Sequence, residues 1–130
     1  MRGMFYRATL FNHDISNWNV SRVRDVSLMF YRCELFNQPL NDWDVSSVEI
    51  MEFMFLGCGD FNQPLDDWDV SRVRAMSMMF QGCENFNQDL SDWDVSSVGN
   101  ECMHEMFNDC RELRYKPDWY DGRIPRDFRH

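Results

Sequence analysis

The sequence predicts an α/β repeat fold, a short solenoid with one short strand and one short helix in each 25-residue turn. The first observation is internal repetition, since residues 36–60 and 61–85 are identical at 16 of 25 positions. The second is a change of hydrophobic period inside each unit, from alternation around Trp43 to spacings of three and four after Val48. Aromatic residues and cysteines recur in register as Trp18, Trp43, Trp68 and Trp93, as Phe11, Phe36, Phe61 and Phe86, and as Cys33, Cys58, Cys83 and Cys110.

The predicted strand occupies residues 40–45, where the apolar side chains have the L-x-x-L-x-L spacing of a leucine-rich repeat. Trp43 and Val45 are two residues apart, so both point inward from a strand. The predicted helix follows over residues 46–55, with Ser46 at its N-terminus and Gly57 at its exit. One such unit cannot bury its own apolar face, but stacked units can cover one another.

Composition excludes several classes of protein. The chain has 130 residues and a formal net charge of −9, and 44% of its residues are hydrophobic, which is too many for a disordered acidic tail. The negative charge disfavours nonspecific nucleic-acid binding. No apolar run approaches the roughly 20 residues of a membrane span, and the N-terminal residues do not have the pattern of a signal peptide. The compartment therefore stays open.

The chain divides into a repeat region, 1–113, and a non-repetitive C-terminal segment, 114–130. The repeat region holds about four and a half units and has 8 basic and 19 acidic residues, whereas the segment after it has 5 basic and 3 acidic residues. The segment either folds back as a cap over the last repeat or anchors the chain to a neighbour, because aromatic residues with arginine are typical of interfaces. Its candidate contact residues are Trp119, Tyr120, Arg123 and Arg126.

The repeat resembles the BspA-like leucine-rich-repeat family of bacterial surface lipoproteins and of some large eukaryotic and viral proteins. The residues that carry the likeness are F-N-Q-P-L-x-x-W-D-V-S-x-V-x-x-M-x-x-M-F-x-x-C, which residues 36–58 and 61–83 match nearly throughout. The resemblance covers roughly residues 4–113. It implies a short curved solenoid used for attachment or assembly, without catalytic residues.

The most prominent candidate surface is a set of acidic residues on the predicted strand face. We call these residues the acidic columns, because they recur in consecutive units. They are interpreted as a docking strip for a basic protein segment or, alternatively, as a Ca²⁺ site; the competing interpretation is that some of them cap backbone N–H groups and the rest are solvated. The acidic columns are Asp42 with Asp44, Asp67 with Asp69, and Asp92 with Asp94.

Arginines alternate along the repeats in the same way. Arg22 and Arg24 lie in the first unit, Arg72 and Arg74 lie in the third, and the second has Glu49 instead. The plain interpretation is neutralisation of charges within the chain, and the alternative is a charge-complementary partner.

The cysteines at 33, 58, 83 and 110 are expected to form a reduced, buried column, since they lack the paired spacing of a zinc site. Cys102, His104 and Cys110 form only a loose metal-like set. The three histidines do not pair with a nucleophile, so no enzymatic activity and no cofactor is expected.

The sequence therefore predicts a non-enzymatic protein-interaction or scaffold module, as an accessory subunit or a fragment of a larger assembly. Its partner would present a basic surface to the acidic columns and a cover for the N-terminal repeat, which begins in mid-unit at Met4-Phe5. The alternative is an extracellular adhesin or ligand-binding surface repeat, in a calcium-dependent or calcium-independent form.

Overall fold

The fold is described from a computed structural model, which covers residues 1–99 and 101–121. Within these residues there is one helix, α1, at Asp118–Asp121. No strand is formed there, and β-pairing is limited to isolated parallel bridges from Asp25 to Ile50 and from Ile50 to Ala75. The prediction of an α/β solenoid is therefore wrong: residues 40–45 form no strand and residues 46–55 form no helix.

Turns replace the predicted helix. The Met29 N–H donates to the carbonyl of Val26, three residues back, and the Cys33 N–H donates to Phe30 in the same way. The third residue of each turn has a positive φ, 60° at Leu28 and 56° at Arg32, as a type II turn requires. A helix cannot continue through such residues, because its ladder needs right-handed φ values and bonds four residues back.

The alternate N–H groups of the same segment bond to the next unit. Phe5 N–H donates to the Met29 carbonyl, and Phe30 N–H donates to the Met54 carbonyl, both at 2.9 Å. The same bond joins the later units: Phe55 to Met79 at 2.9 Å and Phe80 to Met106 at 3.0 Å. Consecutive units therefore lie in register on one another, and the repeat region is a stack of hydrogen-bonded turns.

The core consists of side-chain columns that run through the stack. Phe55 is fully buried, and its ring lies 5.5 Å from Phe30 and 5.6 Å from Phe80 in the neighbouring units. Phe61 of the next turn lies 4.4 Å from the same ring. Identical rings therefore pack on each other, so a residue that fits one unit fits the next as well, which explains the strict register of the sequence.

Tryptophan and cysteine side chains also tie each unit to the one before it. The indole N–H of Trp68 donates to the Leu40 carbonyl at 2.8 Å, and Trp43 and Trp93 make the same bond to Ile15 and Leu65. Each thiol of the cysteine column lies 2.9–3.0 Å from the carbonyl of a core phenylalanine in the preceding unit. Each of these carbonyls also accepts a backbone N–H from three residues ahead, so the indole and thiol bonds are second bonds that connect the units.

The prediction of a reduced cysteine column is confirmed. Cys33, Cys58 and Cys83 are free and buried, and Cys110 is free and half-buried. Burial raises the pKa of Cys33 to about 11 and that of Cys110 to about 12, and raises those of Cys58 and Cys83 well above the usual value. Neutral thiols are poor nucleophiles, so the column is chemically inert in the folded chain.

Thiol labelling should therefore distinguish one cysteine from the other four. We expect Ellman's reagent at pH 8 to react quickly with Cys102 alone, which is half-buried and outside the column. At that pH a thiol with a pKa near 11 is only about one-thousandth ionised. Replacing Cys102 with serine should remove the fast phase, and unfolding in guanidinium should release all five thiols. Fast labelling of a second thiol in the native chain would contradict the structure.

The asparagine of the F-N-Q motif connects consecutive units. We call the set of these residues the asparagine ladder, which consists of Asn12, Asn37, Asn62 and Asn87. The Oδ1 atom of Asn37 accepts the Asn62 backbone N–H at 3.0 Å and the Gln63 side-chain amide at 3.1 Å. The other members of the ladder make the same pair of bonds, apart from Asn87, which accepts the Arg114 N–H. The motif thus fastens units together at the surface.

Candidate functional site

The acidic columns lie at the surface, and three of their six carboxylates accept a hydrogen bond from the residue two positions ahead. Asp44, Asp69 and Asp94 are exposed, and each accepts the backbone N–H two residues ahead at 3.0 Å. Hydrogen bonds from the serine hydroxyls of Ser46 and Ser71, and then from the backbone N–H groups, lower the pKa of Asp44 and Asp69. For these three positions the structure favours the capping interpretation.

The other half of the acidic columns, Asp42, Asp67 and Asp92, is also exposed. The Asp67 N–H donates to Asn41 Oδ1 at 3.0 Å, and Asn41 Nδ2 donates back to Asp67 Oδ2 at 3.2 Å. Across residues 1–99 and 101–121, no three His, Cys, Asp or Glu side chains are grouped so that they could hold a metal ion. The columns present separate carboxylates, which a basic partner could contact singly.

The C-terminal segment extends the stack beyond residue 113. The ring of Trp119 lies 6.3 Å from Trp93 at an interplanar angle of 9°, and its indole N–H donates to the Leu90 carbonyl at 2.9 Å. It therefore takes the same place in the stack as the four earlier tryptophans. The Tyr120 hydroxyl accepts the Met106 N–H at 3.2 Å, and its ring stands edge-on to Phe107. Arg123 and Arg126 lie outside the described residues.

At the opposite end of the stack, core side chains of the first unit are partly exposed. We call this end the N-terminal end face, formed by Met4, Phe5, Phe11 and Trp18. Met4 is 51% exposed, whereas Met29, Met54 and Met79 are 0% exposed, and Trp18 is 36% exposed against 3–4% for the interior tryptophans. Phe5 and Phe11 are only half-buried. The end face thus displays one section of the core to solvent.

Unpaired backbone groups surround the N-terminal end face. In the interior, the carbonyls of Ser27, Met29 and Tyr31 accept N–H groups from the preceding unit at 2.7–2.9 Å. Among the described residues, the equivalent carbonyls of Arg2, Met4 and Tyr6 have no such donor, and the Trp18 indole N–H and the Asn12 N–H have no such acceptor. The sequence reveals the exposed aromatic residues but gives no sign of these polar groups, since backbone pairing leaves no mark on residue type.

The alternating arginines are only partly neutralised. Arg74 lies 3.2 Å from Glu49, which is the one salt bridge among the described residues. Arg22, Arg24 and Arg72 are exposed and have no ion pair there. Neutralisation within the chain thus gives one of the four arginines an ion pair, and the Ser71 hydrogen bonds, with a smaller contribution from Arg72, lower the pKa of Asp69.

The stacked turns, the 25-residue register and the shared columns define a repeat protein built from one copied unit. The chain belongs to the family described as "Mycoplasma protein of unknown function, DUF285", whose family model matches residues 1–120. No curated protein and no solved structure matches the chain. In the described part of the chain, no helix has the length and apolar character to cross a membrane.

Proposed function

We propose that the chain is a non-enzymatic protein-interaction module that docks through its N-terminal end face. The observation that carries this proposal is the contrast along each core column. The same methionine is fully buried in four units and half-exposed at Met4, and the same tryptophan is buried in three units and 36% exposed at Trp18. Exposed apolar residues grouped in this way are typical of protein contact sites.

The polar rim of the end face indicates what kind of surface covers it. The carbonyls of Arg2, Met4 and Tyr6 need N–H donors, and the Trp18 indole N–H needs a carbonyl. In the interior, these needs are met by a neighbouring unit of the same repeat. A partner that ends in a repeat of this type would therefore supply apolar columns and hydrogen bonds in register, by the same pairing that joins the units of this chain.

Charge substitution on the end face tests this function. We expect Met4→Glu with Trp18→Gln to abolish self-association and partner capture by the full chain, because a charge cannot be buried unpaired in an apolar interface. Light scattering over a range of protein concentrations would measure association. Tyr115→Glu is the control, since Tyr115 is 85% exposed and far along the chain from this face. A monomer at all concentrations that also captures no partner in a pull-down would overturn the proposal.

The acidic columns remain a predicted second contact, for a basic segment of the same partner. Asp42, Asp67 and Asp92 are the members whose carboxylates have no serine hydroxyl bonded to them. They would steer a basic partner towards the protein rather than hold it, since exposed ion pairs contribute little affinity.

The alternative function is a surface adhesin or ligand-binding repeat. The family description is compatible with the resemblance to BspA-like surface proteins. Locating a tagged full-length product separates the two functions, because an adhesin requires export and an assembly subunit does not.

A further inference from the structure

Four exposed arginines occupy two positions of the repeat in an otherwise acidic protein. Arg22, Arg24, Arg72 and Arg74 are all exposed, and the chain as a whole has a net charge of −9. Only Arg74 has an ion pair among the described residues, with Glu49. Of the carboxylates nearby, Glu49 pairs with Arg74 and Asp69 accepts the Ser71 hydroxyl, and charges farther away than about 8 Å are largely screened at physiological ionic strength.

Three of these arginines line one groove. Arg24, Arg72 and Arg74 share it with Glu49 and with the side chains of Ser47, Ser71 and Ser97. We call it the arginine groove. Backbone bonds from the Glu49 N–H to the Arg24 carbonyl and from the Arg74 N–H to the Glu49 carbonyl place these three residues at the same position of consecutive units. Arg24 and Arg74 are therefore about 10 Å apart, twice the spacing of hydrogen-bonded neighbours, with Glu49 between them, and Arg72 lies in the same unit as Arg74. Long side chains can close that distance from both sides.

Most other polar groups of the groove are already engaged. The Ser71 hydroxyl donates to Asp69 Oδ1 at 2.6 Å, and the Ser97 hydroxyl donates to the Ser71 carbonyl at 2.7 Å. The Asp69 carboxylate therefore already accepts a hydrogen bond from Ser71 of the same unit. The Ser47 hydroxyl and the guanidinium groups of Arg24 and Arg72 have no hydrogen bond or ion pair in the described structure. The groove therefore has an excess of donors.

We propose that the arginine groove binds a phosphate or sulfate group. Each guanidinium offers five N–H donors in a planar fork that fits two oxygens of an oxyanion at once. A tetrahedral group presents three terminal oxygens, so it can engage more than one arginine, whereas a carboxylate has only two. A lysine ammonium lacks this planar fork and would bind an oxyanion less specifically, and none of positions 22, 24, 72 and 74 holds a lysine. The groove is open to solvent, so a single group binds weakly and a chain of such groups binds more tightly.

Titration with inorganic phosphate and with inorganic sulfate, at constant ionic strength, tests the proposal. NMR signals of the arginine Nε–H groups should shift for Arg24, Arg72 and Arg74 and stay constant for Arg7 and Arg32. The double variant Arg24→Gln with Arg72→Gln should weaken binding at least about tenfold. The matched control, Arg7→Gln with Arg32→Gln, removes two exposed arginines that lie over Tyr6 and Tyr31 and should leave binding unchanged.

Two further variants keep the test decisive if the double variant folds poorly. Arg72→Lys retains the charge and removes the fork, so it should weaken binding severalfold. Glu49→Gln removes the only carboxylate that lines the groove and releases Arg74, so it should strengthen binding at least about twofold. Equal shifts with chloride, or equal losses in both double variants, would overturn the proposal.

A heparin fragment distinguishes the source of the group. Tighter binding than inorganic sulfate, lost in Arg24→Gln with Arg72→Gln, would show that the group is carried on a chain. Equal affinity per group would indicate a free ion. Binding of heparin that ignores the groove variants would count against the groove.

Discussion

Replacing Phe55 with alanine should lower the free energy of unfolding by about 3–5 kcal/mol. Phe55 is fully buried at the centre of the stack, and its ring contacts rings of its own unit and of both neighbours. The cavity would lie between three units that cannot collapse independently, because the backbone bonds of Phe30 and Phe55 fix their spacing. Urea unfolding followed by tryptophan fluorescence measures the loss.

Phe5→Ala is the matched control, since Phe5 holds the equivalent position in the first unit. Its ring is half-buried and has neighbours on one side only, Phe11 at 4.0 Å and Phe30 at 5.7 Å. We expect a loss of about 1–2 kcal/mol, in proportion to the smaller apolar area that it buries. Equal losses at the two positions would mean that the units do not stabilise one another by stacking.

The sequence predicts the repeat and its core well, because repetition and apolar spacing are direct consequences of packing. The columns of phenylalanine, methionine and tryptophan are buried as their register indicates, and the cysteines join them. Trp119 could have been placed in the same column, since it follows Trp93 by 26 residues. The change of composition after residue 113 conceals this continuation.

Secondary structure was mispredicted for a physical reason. Apolar spacings of three and four suit a helix, but they equally suit successive turns whose alternate N–H groups bond to the next unit. The turns place Leu28, Phe53 and Met78 at φ values of 55–60°, where an L-residue loses about 1 kcal/mol or more. Leucine, phenylalanine and methionine are not residue types that indicate a positive φ. Only the contacts between units explain this positive φ, and the sequence of a single unit does not reveal those contacts.

For the surface sites, too, the sequence predicts one part and only the structure shows the other. The acidic columns and the arginines are visible in the sequence as charges, and the structure decides which of them are already paired. Asp44 turns out to be bonded to Ser46, and Arg24 turns out to have no ion pair in the described residues. The F-N-Q motif is visible in the sequence, but its role in the asparagine ladder is not, because its bonds join residues 25 positions apart.

The second large effect on stability is expected in the column of stacked tryptophans. Trp68→Phe should lower the free energy of unfolding by about 2–3 kcal/mol, the sum of a small cavity and the lost hydrogen bond of the indole N–H. The indole of Trp68 is 3% exposed, and its N–H is bonded to the Leu40 carbonyl at 2.8 Å. Phenylalanine cannot replace that donor, so the Leu40 carbonyl would keep only its bond from the Trp43 backbone N–H and the two units would lose one of their connections.

Trp18→Phe isolates the contribution of stacking, because residue and substitution are the same and only the neighbour differs. Trp18 is 36% exposed, and its indole N–H has no acceptor among the described residues. Its loss should stay below about 1 kcal/mol for the isolated chain, as for other partly exposed positions. If a repeat-bearing partner covers the N-terminal end face, the same variant should cost more in the complex than in the free chain, because Trp18 would then be placed as Trp68 is. A loss at Trp18 that is as large as the loss at Trp68 in the free chain would show that the hydrogen bond to the preceding unit adds nothing.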